Sequence, residues 1–166
     1  MDTYLLICDN RYYYSENCAY MEYICLGSEQ EVRDKMIEQY NAENLDWWDE
    51  HELTDDSAHL LTDSDDEYSE LIWRIVDCGE MPDDSVLVVR FGARYDDGHI
   101  ESCKFMSADD ASNVLSVYED MLDKWDEDYS EADDEHVYLT DECNENVTAV
   151  DVIDPRNEFH RYIQYG

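Results

Sequence analysis

The sequence predicts an α+β fold in which an antiparallel or mixed sheet carries packed helices. Three observations lead to this prediction. The chain twice runs through two strand-like segments and then a capped helical segment, a further capped segment lies between these two units, and the C-terminal segment resembles a hairpin. The chain has 166 residues, is 43% hydrophobic and 13% aromatic, and contains only two Pro and five Gly. Such a composition supports a folded core.

The first β-β-α unit opens with two β-rich segments, residues 4–8 and 18–26, which are separated by polar residues. They are predicted to pair as strands. Ser28 and Glu31 then have the spacing of a capping box, the reciprocal arrangement that marks a helix N-terminus. Apolar residues follow at intervals of four, which predicts a helix with one buried stripe formed by Val32, Met36 and Tyr40.

A central helix is predicted next, because Ser64 and Glu67 repeat the capping-box spacing. The residues that follow have helical spacing, namely Tyr68, Leu71, Ile72, Ile75 and Val76. Gly79 is placed to end this helix, and Pro82 lies beyond it.

The second β-β-α unit consists of residues 86–91, a turn predicted at Asp97-Gly98, and residues 100–106. Ser107 is predicted to cap the next helix. Its apolar stripe comprises Val114, Leu115, Tyr118, Met121, Leu122 and Trp125. Two β-β-α units in series indicate an internal duplication.

The C-terminal segment alternates over residues 147–153, turns at 154–157 and resumes at 159–165, which predicts a final hairpin. The expected organisation is a single compact acidic domain of residues 1–166. Division into two pseudo-repeated lobes, about 1–62 and 63–166, is the alternative.

The charge of the chain is its most informative property. Forty-five Asp and Glu oppose ten Lys and Arg, so the formal net charge is −35. A compact chain of this length is expected to be about 40 Å across, and about 40 Å of duplex DNA carries roughly 24 phosphates. Solubility would be served by a net charge of only about 2–8 in magnitude. The surplus therefore predicts a cationic partner. High-salt adaptation fits poorly with six Cys and fourteen Tyr.

Just over half of the acids fall in two windows without Lys or Arg, residues 36–73 and 125–155. Further acids lie away from the apolar stripe of the predicted helix that follows Ser107. The predicted partner-binding residues are Asp46, Asp49, Glu50, Glu52, Asp55, Asp56, Asp63, Asp65, Asp66, Glu67, Asp120, Asp123, Asp126, Glu127, Asp128, Glu131, Asp133, Asp134 and Glu135.

Aromatic residues are interleaved with these acids and are candidate interface anchors, since Trp and Tyr are enriched at binding hot spots. They are Trp47, Trp48, Tyr68 and Tyr129. Because Trp47 and Trp48 are adjacent and cannot easily face one way, we expect one to be buried and the other exposed.

No motif for catalysis, cofactor binding or metal binding is present. The five His are scattered, and the six Cys include no C-x-x-C pair. A calcium-like segment begins at Asp63, but Tyr68 stands where the loop needs Gly, and Arg74 stands where it needs Glu. With 45 carboxylates, chance pairs of acids carry no catalytic weight. We therefore predict a protein that is not an enzyme and has no cofactor.

The N-terminus has no basic region before its short apolar run, and no apolar stretch approaches about 18 residues. These features predict a cytoplasmic protein without a membrane partner.

In its size, extreme acidity, high aromatic content and missing catalytic motifs, the chain resembles the DNA-mimic inhibitors of phages and mobile elements, including anti-restriction and anti-CRISPR proteins. The resemblance spans the chain and rests on no shared motif. It implies a protein inhibitor that occupies the basic nucleic-acid-binding groove of a host defence effector, a CRISPR–Cas complex or a restriction enzyme, in the host cytoplasm. It implies no direct binding of nucleic acid and leaves homo-oligomers open.

The main alternative is an acidic chaperone or adaptor for basic proteins. A long disordered acidic tail is typical of that class, whereas here the acids are distributed among predicted structural elements. Inhibition without mimicry, by allosteric locking or by promoting dimerisation of an effector, is also compatible with the sequence.

Overall fold

A computed structural model describes residues 1–13, 17–64, 67–95, 97–121, 131–140 and 146–165. The predicted α+β class is wrong, because the described fold is mostly β, with two antiparallel sheets and two helices. The chain divides into two compact units. The first comprises Met1–Asp77 with Phe159–Gln164, and the second comprises Cys78–Glu158 with Tyr165.

The first unit is built on a six-stranded sheet with the strand order β11-β2-β1-β5-β4-β3. These strands are β1 (Asp2–Tyr13), β2 (Asn17–Gly27), β3 (Glu50–Leu53), β4 (Ser57–Asp63), β5 (Tyr68–Glu80) and β11 (Arg161–Gln164). The predicted pairing of the first two strands is confirmed, with Leu5 opposite Leu26 and Arg11 opposite Ala19.

Helix α1 (Glu29–Ala42) packs on one face of this sheet. The predicted capping box is confirmed, because the Ser28 side chain accepts from Glu31 N and the Glu31 carboxylate accepts from Ser28 N. The predicted stripe is also confirmed. Val32, Met36 and Tyr40 are buried in one cluster with strand residues Leu6, Cys8, Ala58, Leu60 and Trp73.

The predicted central helix is wrong, because Tyr68–Glu80 forms β5, which lies between β1 and β4. Ser64 and Glu67 make a turn that joins β4 to β5 instead of capping a helix. Ser64 N donates to Glu67 O at 2.8 Å, and Asp63 pairs with Tyr68 across the two strands. Because an interior strand is covered by neighbours on both sides and is partly buried on both faces, its apolar residues need not alternate.

The second unit contains a five-stranded sheet with the order β7-β6-β10-β9-β8. Its strands are β6 (Ser85–Arg94), β7 (Asp97–Ser107), β8 (Glu131–Ala132), β9 (His136–Thr140) and β10 (Asn146–Ile153). Helix α2 (Ala108–Glu119) begins after Ser107, whose side chain accepts from Asp110 N as predicted. Ala111 and Leu115 of α2 are buried with strand residues Val86, Val88, Val137, Leu139 and Val150.

The predicted hairpin of β6 and β7 is present, but its turn is displaced. Arg94 pairs with Asp97, so the turn precedes Asp97, and Tyr95 has φ of 58°. Gly98 lies buried within β7. A Cβ atom there would stand 2.8 Å from Tyr165 Cζ and 3.0 Å from Phe91 Cζ. The glycine therefore serves close packing.

The predicted C-terminal hairpin is also wrong. The turn itself forms, because Asn157 N donates to Asp154 O at 3.2 Å. However, β10 lies between β6 and β9, whereas β11 pairs with β2 in the other sheet. The two β-β-α successions, β1-β2-α1 and β6-β7-α2, are each present.

Candidate functional site

The first acidic window produces a continuous acidic border on the first unit, which we call the acidic edge. It comprises β3, an edge strand of the six-stranded sheet, and the segments on either side of it. All of its carboxylates are exposed, and among the described residues none has a Lys, Arg or His ion-pair partner. Its members are Asp46, Asp49, Glu50, Glu52, Asp55 and Asp56.

The strand geometry places two of these carboxylates on one face. Glu50 and Glu52 alternate with His51, whose Nδ1 lies 3.4 Å from the hydroxyl of Tyr40 on α1. The two glutamates therefore lie on the face opposite α1, about 7 Å apart along the strand. A charged edge strand also discourages further strand pairing, so these residues serve the protein's solubility whatever else they bind.

The remaining predicted residues of the first window differ from one another in exposure. Asp63 is exposed at the end of β4, whereas Glu67 is half-buried beside the β4–β5 turn. Asp65 and Asp66 lie outside the described residues.

The second acidic window is only partly described. Glu131 lies on the edge strand β8, and Asp133, Asp134 and Glu135 form the exposed turn before β9. Asp133 N donates to His136 O, and Glu135 N donates to Asp133 Oδ1, each at 2.8 Å. The predicted residues outside the described part are Asp123, Asp126, Glu127 and Asp128.

Asp120 is exposed and caps the C-terminus of α2. A carboxylate at this end opposes the helix dipole. Neither α1 nor α2 has a basic residue in its last turn. These helix ends are therefore not arranged for electrostatic stability.

The basic residues do little to neutralise the acidic surfaces, because several pair with carboxylates elsewhere. Among the described residues, the pairs closed at 3.5 Å or less include Arg11 with Asp9, Arg33 with Glu29, Lys35 with Glu38, Arg90 with Glu101, and Arg156 with Asp154. Of the residues in these pairs, only Glu38 and Asp154 fall within the acidic windows, and neither is a predicted partner-binding residue.

An aromatic cleft of about 330 Å³ opens on the first unit beside the acidic edge. Its aromatic walls are Tyr12, Tyr20, Trp47 and Trp48, and its remaining lining residues are Asn10, Arg11, Ser69, Glu70 and Leu71. The prediction for the two tryptophans is confirmed, because Trp48 is 9% exposed and Trp47 is 44% exposed. Tyr129 lies outside the described residues.

Sequence reasoning missed Tyr12 and Tyr20 in this cleft. Tyr20 lies opposite Asn10 in the β1–β2 pair, and Tyr12 lies two residues further along β1. The Tyr20 ring also contacts the Tyr162 ring of β11, with centroids 5.6 Å apart. The available signal was the run of tyrosines at positions 12–14, beside the polar connection between the two strands.

Glu70 on β5 lies at the centre of a polar network in the first unit. Its carboxylate lies 2.6 Å from His59 Nε2, accepts from the Tyr68 hydroxyl at 2.9 Å, and lies 4.0 Å from Arg11. Partial burial, followed by the hydrogen bond to Glu70 and its charge, raises the pKa of Tyr68 to about 12. Tyr68 therefore remains a protonated donor at neutral pH, so this predicted anchor is engaged within the fold.

A pair formed by a carboxylate and a histidine lies in the second unit. Asp151 is completely buried on β10, and its Oδ1 lies 2.6 Å from Nδ1 of His136 on β9. Two cysteine thiols of this unit, Cys78 and Cys103, also lie close together, with 2.8 Å between their sulfur atoms.

Within the described ranges, no group of three or more His, Cys, Asp or Glu side chains is positioned to hold a metal ion. No described helix is long and apolar enough to cross a membrane.

The chain matches no protein-family model, no curated protein and no solved structure. The function of the protein is therefore inferred from its own residues.

Proposed function

We propose that the protein is a DNA-mimic-type inhibitor without enzymatic activity. Its carboxylates would occupy the basic nucleic-acid-binding groove of a host defence effector, a CRISPR–Cas complex or a restriction enzyme, and block the binding of DNA. The acidic edge is the candidate contact surface in the first unit. The β8–β9 turn, with Glu131, Asp133, Asp134 and Glu135, is the candidate in the second.

The observation that carries this proposal is the display of exposed carboxylates along the acidic edge, on backbone that hydrogen bonds hold in place. The six acids of the acidic edge are exposed and have no cationic partner among the described residues. Their backbone is held in place, since Thr54 N and Thr54 Oγ1 bond to Ser57 O, and Arg33 Nε donates to Asp55 O at 2.6 Å. A fixed array of this kind supports shaped mimicry over general solvation of a basic protein.

The mechanism is competition for Lys and Arg side chains that would otherwise hold a phosphate backbone. A net charge of −35 attracts a basic groove over long range, which accelerates association and makes it sensitive to salt. Carboxylates that reach the groove then form charge-assisted hydrogen bonds with guanidinium and ammonium groups.

The proposal is tested by co-purification from host cells that express defence systems, followed by competition with labelled DNA for the recovered effector. We expect one nuclease or CRISPR complex to be recovered, and its DNA binding to be blocked. Inhibition should weaken as salt is raised from low to several hundred millimolar. Recovery of many unrelated basic proteins would favour the chaperone alternative.

A charge-matched pair of variants tests the surface. The edge variant changes Asp49, Glu50, Glu52, Asp55 and Asp56 to Asn or Gln, and the control changes five exposed acids outside both windows, Asp77, Glu80, Asp83, Glu119 and Glu158. We expect the edge variant to inhibit at least about tenfold less well, equivalent to about 1.4 kcal/mol, and the control to change little. Unchanged binding in both the edge variant and high salt would rule out phosphate mimicry.

A further inference from the structure

The aromatic cleft beside the acidic edge is the strongest unassigned feature of the described residues. We propose that it binds an arginine side chain of the partner, with the guanidinium lying against the rings of Trp47, Tyr12 and Tyr20. This inference rests on the proposed function and adds a specific anchor to it, because carboxylates alone do not distinguish arginine from lysine by stacking.

The size and chemistry of the cleft fit one side chain. Its volume of about 330 Å³ lies at the lower end of the range for ligand pockets. Trp47 and Tyr12 are 44% and 38% exposed, so their rings are accessible to a partner. A guanidinium within about 6 Å of such ring centroids is attracted by the aromatic quadrupole and stacks on the ring face.

The Trp47 wall is fixed before any partner binds. Trp47 N donates to Asn44 O at 3.0 Å, and the Thr62 hydroxyl donates to Trp47 O at 3.3 Å. The indoles of Trp47 and Trp48 meet edge to face with centroids 4.8 Å apart, and Trp48 is itself part of the core under α1. A pre-organised aromatic anchor loses little entropy on binding.

The charges around the cleft favour a cation. Asp46 and Asp49 flank the two tryptophans and are exposed, and Glu70 lies in the lining. Glu22 is close by, since its carboxylate accepts from the side chain of the lining residue Asn10 at 3.0 Å.

One arginine and two histidines are also near the cleft, and each lies close to a carboxylate. His59 Nε2 lies 2.6 Å from the lining residue Glu70. Arg11 lines the cleft and lies 2.7 Å from buried Asp9 and 4.0 Å from Glu70. His160 Nε2 lies 3.0 Å from Glu22. The acids therefore outnumber the basic groups at this site, which gives it charge complementarity to a guanidinium.

The test compares nona-arginine with nona-lysine, which carry equal charge, by calorimetric titration of the intact protein at one moderate salt concentration. The proposal predicts that nona-arginine binds at least about fivefold more tightly. Trp47→Ala should reduce this ratio to below about twofold, whereas Trp47→Phe should retain most of it. Tyr95→Ala removes an aromatic side chain that is 56% exposed in the second unit, and it should leave the ratio unchanged.

A direct reading comes from the indole N–H signals in NMR spectra, with the Trp47 signal assigned by its loss in Trp47→Phe. Acetyl-arginine amide should shift this signal more than acetyl-lysine amide does. Equal binding of the two peptides together with an unmoved Trp47 signal would overturn the arginine site and leave electrostatic capture intact. If neither peptide binds when the titration is repeated at low salt, that result would instead count against the proposed function itself.

Discussion

Gly98 shows how one missing side chain shapes the second unit. The rings of Phe91 and Tyr165 are buried and lie 5.3 Å apart between centroids, and both reach the position that a Cβ atom of residue 98 would occupy. Because both rings are enclosed in a packed interior, they have little room to withdraw.

We predict that Gly98→Ala destabilises the protein by about 1–3 kcal/mol, the usual range for overpacking a core. The measurement is urea denaturation followed by circular dichroism. Gly92→Ala is the matched control, since its new methyl group would meet the Glu101 carboxylate, which is the end of a flexible and exposed side chain. A loss of stability in Gly98→Ala no larger than that in Gly92→Ala would contradict the packing explanation.

Other single residues were predictable only in part. Adjacency alone indicated that Trp47 and Trp48 would differ in burial, and they do. The glycine after Asp97 suggested a turn, yet its role is to admit two aromatic rings, one of them from Tyr165, far along the chain. Sequence patterns indicate local backbone preferences. A close contact between side chains depends instead on which residue from a distant part of the chain packs against that position.

At the scale of elements, two similar cap signals had different outcomes. Ser28 and Glu31 begin α1, whereas Ser64 and Glu67 form a turn between two strands. After Ser28, the apolar residues are separated by charged ones, so an amphipathic helix buries them on one side. After Ser64 comes the apolar, partly β-branched run Leu71-Ile72-Trp73, which suits an interior strand. The cap signal is local, and the packing environment decided between the two structures.

Removing a carboxylate from α2 should change the stability of the protein in opposite directions at the two ends of the helix. Asp120→Asn removes a carboxylate from the C-terminus, where it opposes the helix dipole, and should stabilise the protein by about 0.3–1 kcal/mol at low salt. Asp110→Asn, in the first turn, should destabilise it by a similar amount for the same reason. Thermal unfolding of both variants at low and high salt provides the measurement. Two effects of the same sign, or effects that persist at high salt, would contradict this explanation.

At the scale of the whole molecule, the charge dominates. A formal net charge of −35 on 166 residues imposes self-repulsion on the folded chain. The described basic residues offset little of it on the acidic edge, because those that pair do so with other carboxylates.

We therefore predict that added salt stabilises the folded protein. Between about 0.01 and 0.1 M salt the screening length falls from about 30 to 10 Å. The unfolding midpoint should rise by about 4–8 °C, as expected for a gain of about 2 kcal/mol in a chain of this size. Calorimetry in sodium chloride and potassium chloride distinguishes screening, which should be equal in both salts, from binding of a specific cation. A midpoint that stays constant or falls would show that self-repulsion is a minor contribution.

The charge, the two capped helices and the two neighbouring-strand hairpins could be predicted from the sequence, because each depends on composition or on residues close together in the chain. Three other features became known only from the folded chain: residues 68–80 form a strand, β11 pairs with β2 instead of β10, and Tyr12, Tyr20 and Trp47 share one cleft. These features depend on contacts between residues far apart in sequence. Local preference leaves such contacts open, and the burial of apolar surface and the pairing of strand edges select among them.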